Sequence, residues 1–132
     1  MGQKTPVTVS SVVVTDTVDP KYKTSLPTKW KPKVVTAMSK LETDPPAGKK
    51  LEPFSIEVSI SLKKTDKGVK TEITFALSSG NKMFRSVIGK AGTESSKPGI
   101  IGDDDVDAVV GPAVTNAVTA ALSEFKKKAA EK

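Results

Sequence analysis

Residues 54 to 62 read Phe-Ser-Ile-Glu-Val-Ser-Ile-Ser-Leu, apolar and polar in unbroken alternation. Successive strand side chains point to opposite sides, so Phe54, Ile56, Val58, Ile60 and Leu62 share one face. Ser55, Glu57, Ser59 and Ser61 share the other. Residues 69–77 repeat the pattern more coarsely, and Asp66-Lys67-Gly68 between them predicts a tight hairpin with Gly68 in the left-handed position. A second turn at 78–82, with Gly80-Asn81 suited to positive φ, leads to a third strand over 83–91. Its apolar residues, Met83, Phe84, Val87 and Ile88, do not alternate, which leaves its register open. Gly89 and Gly92 weaken its far end.

Two further regions carry a period. Val106, Val109, Val110, Ala113, Val114, Ala117, Val118, Ala121, Leu122 and Phe125 recur at three- and four-residue spacing, the stripe of an amphipathic helix. Asp103, Asp104 and Asp105 suit its N-terminus and Lys126, Lys127 and Lys128 its C-terminus. Gly111-Pro112 predicts either a kink or a short turn ahead of the main helix. Earlier, Val34, Val35, Met38 and Leu41 predict a short helix over 32–41, with Pro32 in its first turn and Trp30 packed before its start. The stretch from Asp16 to Pro32 holds three X-Pro steps and reads as a linker. Residues 7–15, rich in Val, Ser and Thr, predict a first strand with a bulge or two-sided burial at Ser10-Ser11. Residues 43–48 and 93–99 read as loops.

The expected fold is therefore α+β, in the order β-α-β-β-β-α. A mainly antiparallel sheet of about four strands carries two helices on one face. A length of 132 residues fits one domain spanning 1–132, with flexible ends at 1–6 and 127–132.

Composition narrows the chemistry. The chain has no Cys and no His, so disulfides, thiolate metal sites, Ser-His-Asp catalysis and zinc-water catalysis are outside its own means. No run approaches the roughly 20 apolar residues of a membrane-spanning helix, and no apolar signal core precedes Val7. The net charge of +6 comes almost wholly from lysine, with Arg85 the single arginine. Lysine is a point charge without the bidentate fork of arginine. The excess lies before residue 102, after which acids outnumber lysines.

Three clusters invite a functional reading. Asp103, Asp104, Asp105 and Asp107 are acids of the kind that bind Ca²⁺ or Mg²⁺, yet they lack the glycine and glutamate spacing of an EF-hand, and helix capping accounts for their place. The glycines around Lys90 and Ile101 match no phosphate-binding loop, so the sequence names no cofactor. Segment 21–33 interleaves Lys21, Lys23, Lys29, Lys31 and Lys33 with Tyr22 and Trp30. Tyr22, Lys29, Trp30 and Lys31 are the candidate partner-binding residues, for a protein or glycan, or for single-stranded nucleic acid stacked on the rings. No carboxylate pair stands out as acid and base, so the chain reads as non-enzymatic.

The element order and the closing run Ala-Val-Thr-Asn-Ala-Val-Thr-Ala-Ala-Leu at 113–122 resemble small bacterial cell-envelope domains related to the N-terminal domain of TolB and to the lipoproteins CsgG and LpoB. The resemblance implies a non-enzymatic interaction or structural accessory domain, periplasmic or outer-membrane-associated. It implies an envelope protein as partner and a lipidated cysteine ahead of the present residues. No functional-residue motif of that group matches, so none is carried over. Without it, a cytoplasmic nucleic-acid-binding module using 21–33 stays open.

Overall fold

The computed structural model describes residues 3–44, 46–48, 52–94 and 102–130. In chain order the elements are β1 (Gln3–Lys4), β2 (Val7–Asp16), α1 (Tyr22–Met38), β3 (Glu42–Thr43), β4 (Phe54–Lys64), β5 (Gly68–Ser79), β6 (Lys82–Glu94) and α2 (Asp103–Ala130). The main sheet runs β2-β4-β5-β6, while β1 and β3 form a separate small pair. This is the expected α+β fold with a mainly antiparallel four-stranded sheet. β4, β5 and β6 form an antiparallel meander, but β2 lies parallel to β4, so the sheet is mixed. Parallel neighbours need a long crossover, and the stretch carrying α1 supplies it.

The alternation of β4 is realised in full. Phe54, Ile56, Val58, Ile60 and Leu62 are buried, and they meet Ile73, Phe75 and Leu77 of β5 in one core with both helices. At one end of that core Phe54 stacks on Phe125 of α2 with ring centroids 4.6 Å apart, and Phe84 meets Phe125 edge-on at 5.7 Å. The expected irregularity in β2 is a bulge between Val9 and Ser11, where the Ser10 hydroxyl donates to the Ile56 carbonyl.

The largest correction concerns residues 16–32. They are not a linker: α1 begins at Tyr22 and continues through both Pro27 and Pro32. Tyr22, Leu26, Trp30, Val34 and Met38, each four residues after the last, form its buried stripe. Each such burial is worth about 1.5–3 kcal/mol, against about 3 kcal/mol for an interior proline. Five burials outweigh two prolines, and neither proline stands on the stripe. Val35, expected to be buried, is exposed, and Leu41 is buried beyond the helix end.

Smaller corrections follow from the same packing. At the ends expected to be flexible, Lys4 pairs in β1 with Glu42, and residues 127–130 lie in α2 with Ala129 buried. Thr43 pairs with Gln3 instead of opening a loop. Thr93 and Glu94 complete β6, and the rest of the loop expected at 93–99 lies outside the described residues. Gly80 has φ of 63°, as expected, whereas Gly68 does not enter the left-handed region and pairs in β5 with Glu94. The hairpin is closed instead by Thr65, whose amide donates to the Gly68 carbonyl and whose hydroxyl accepts from the Gly68 amide.

α2 is one unbroken helix through Pro112. Among the described residues it is the one helix long and apolar enough to cross a membrane. Length and composition alone meet that criterion, and a core helix meets it equally. Here its stripe packs on β5 and β6.

Candidate functional site

The segment expected to bind a partner is an internal joint between the helices. Tyr22 is only 3% exposed, and its hydroxyl donates to Asp103 Oδ1 at 2.8 Å. Lys21 Nζ reaches the same oxygen at 3.2 Å, and Lys29 is ion-paired with Asp107. Burial, then the hydrogen bond to Asp103, pushes the Tyr22 phenol well above its ordinary range. The Tyr22 hydroxyl, then Lys21, holds the Asp103 carboxyl below the usual carboxylate range. Trp30 is buried beneath Lys33, whose ammonium lies 4.8 Å from the ring centroid. The indole N–H of Trp30 has no hydrogen-bond partner among the described residues.

A surface aromatic patch is therefore not what this segment forms. Tyr22 and Trp30 are core residues of α1, Lys29 is engaged by α2, and Lys31 is exposed without an ion-pair partner among the described residues. The two rings are 3% and 8% exposed. Three of the four acids at the head of α2 are likewise engaged. Asp105 accepts from the Gly102 amide at 3.0 Å, while Asp103 and Asp107 face lysines of α1. Among the described residues no group of three or more acids is placed to hold a metal ion.

What the fold presents outward is the other side of the sheet. Both helices lie on the core face, leaving the polar positions of β4 and β5 bare. A groove of about 610 Å³ crosses this face, lined by Thr15, Ser59, Ser61, Thr74, Glu72 and the lysines 63, 70 and 90, with Gly92 at its rim. Register explains its composition. Ser59 stands opposite Thr74 and Thr74 opposite Ile88; Ser61 opposite Glu72 and Glu72 opposite Lys90; Lys63 opposite Lys70 and Lys70 opposite Gly92. Glu72 and Lys90 form a 4.0 Å ion pair across the strands.

At the margin of this face is the outer edge of β6. Among the described residues no strand pairs with it. A register shift at Leu77/Ser78 leaves Phe84 unopposed, which turns that ring into the core beside Phe54; from residue 85 onward the pairing to β5 is regular. Met83 and Ile88 are 64% and 50% exposed along this strand. The opposite edge, β2, is interrupted by two register shifts.

Comparison with family models, with curated proteins and with solved structures finds no match.

Proposed function

We propose that this chain is a non-enzymatic interaction domain that captures an extended segment of another protein along the free edge of β6. The observation that carries the reading is the regular edge over residues 85–94, unpaired among the described residues and continuous with a bare sheet face. An open edge presents a row of backbone donors and acceptors, and strand addition satisfies them. Half-exposed Ile88 supplies an apolar side-chain contact beside that row. Among the described residues no hydroxyl of the groove is hydrogen-bonded to one of its lysines or to Glu72, which faces Lys90. The bacterial cell envelope remains the proposed setting, supported by the order strand, helix, meander, long helix that also describes the envelope domains named above.

The test is selection of peptides from a random display library against the whole domain, with binding then measured to an Ile88→Lys variant. Enriched peptides rich in β-branched residues that lose affinity for Ile88→Lys support the reading. Enrichment of nothing, or of peptides indifferent to β6, contradicts it, as does a labelled oligonucleotide that binds with a steep salt dependence.

A further inference from the structure

Lys63 and Lys70 are directly opposed across the β4–β5 ladder, and neither has an ion-pair partner among the described residues. Side chains so placed start from Cβ atoms about 4.5–5.5 Å apart, and like charges there repel. Lys90 stands diagonally beside Lys70, two residues from its partner Gly92, and contributes a third cation that Glu72 only partly offsets. Gly92 adds no side chain at this end, so the space above Lys70 stays open. Around the lysines the hydroxyls of Ser59, Ser61 and Thr74 make no hydrogen bond to protein among the described residues. Three cations, one acid and three unused hydroxyls therefore converge on one concavity of about 610 Å³.

We propose that this groove binds a small polyanion, one oxyanion group of which bridges Lys63 and Lys70 while further oxygens take the hydroxyls of Ser59, Ser61 and Thr74. A bridging oxyanion converts the repulsive pair into two charge-assisted hydrogen bonds. Among the described residues no aromatic ring and no arginine lines the groove, which disfavours nucleobase stacking and base-edge readout. Phosphate and carboxylate share the chemistry that lysine recognises. This site uses side chains on the sheet face and is independent of capture along the β6 edge, so the two readings fail separately.

Calorimetric titration of the whole chain with tripolyphosphate and, in a parallel arm, citrate tests the proposal. One-to-one binding is expected, weakening about tenfold or more between roughly 20 and 200 mM salt. Lys63→Glu pairs residue 63 with Lys70 and is expected to weaken binding about tenfold or more while leaving thermal stability equal or higher without ligand. Lys31→Glu makes the same change in net charge on the exposed side of α1 and is expected to alter affinity less than about twofold at moderate salt. The arm that binds tighter identifies phosphate or carboxylate as the natural group. Absence of binding of both probes at low salt overturns the proposal. So does an equal loss in Lys63→Glu and Lys31→Glu, or binding confined to a decaglutamate peptide or an oligonucleotide.

Discussion

Gly89 of β6 lies directly beneath the backbone carbonyl of Ala113 in α2. A methyl group placed on Gly89 would overlap that oxygen and come within 2.9 Å of the Ala117 amide nitrogen. The glycine that looked like a weakness in a strand is thus the point where sheet and helix backbones touch. Backbone atoms cannot rotate aside as side chains do, so overpacking here costs about 1–3 kcal/mol or more. Gly89→Ala is expected to lower unfolding free energy by at least that amount in urea titrations. Gly92→Ala, whose added methyl meets nothing closer than 3.7 Å, is expected to be neutral or stabilising by about 0.4–1 kcal/mol. Equal effects at the two positions would refute this account of the interface.

The Tyr22–Asp103 joint gives two pH limbs. Asp103 has its pKa lowered by folding, so its contribution is present above the unfolded carboxylate value and is lost as pH falls through the folded one. Tyr22 has its pKa raised by folding, so its contribution is complete below the unfolded phenol value near 10.0 and is lost as pH rises through the folded one. Melting temperature measured against pH should fall on both sides. Asp103→Asn is expected to flatten the acid limb, and Tyr22→Phe to flatten the alkaline limb while costing about 1 kcal/mol at neutral pH. An alkaline limb unchanged in Tyr22→Phe would assign it to other groups.

Trp30 buries a large ring and strands a donor. Trp30→Ala should cost about 3–5 kcal/mol, the range for emptying an aromatic site. Trp30→Phe keeps most of the ring contact and removes the unpartnered N–H, whose burial alone costs about 1–3 kcal/mol. It is expected to lose far less, with chemical denaturation as the measure.

Pro32 stands in the interior of α1, with its ring on an exposed position. Pro32→Ala restores the missing amide donor toward the Thr28 carbonyl and is expected to stabilise the chain by about 2–2.6 kcal/mol. That is the interior-proline penalty less the entropy the unfolded chain regains. A loss of stability would mean that the proline is accommodated without cost.

The strand meander was legible because a period of two is read one residue at a time, and residues 54–62 violate it nowhere. α1 was hidden because two prolines are strong local signals against a helix. The contrary signal was nonlocal: Tyr22, Leu26, Trp30, Val34 and Met38 at a constant spacing of four, with Pro27 and Pro32 on other faces. The same prolines make Tyr22 and Trp30 look like surface residues of a linker, whereas their positions on that stripe bury them. The polar sheet face was readable from Ser55, Glu57, Ser59 and Ser61. The opposition of Lys63 to Lys70 was not, because it depends on which residues close the turn at 65–68. Nor was the register of β6, which is set by the unopposed residue at Phe84.

Amide hydrogen exchange along β6 tests the central claim, that the edge over residues 85–94 is where a partner is received. Measured on the domain alone and saturated with a library-selected peptide, the outward amides of this stretch should slow markedly while those of α1 and α2 are unchanged. Protection confined to the helices, with β6 unaffected, would contradict it.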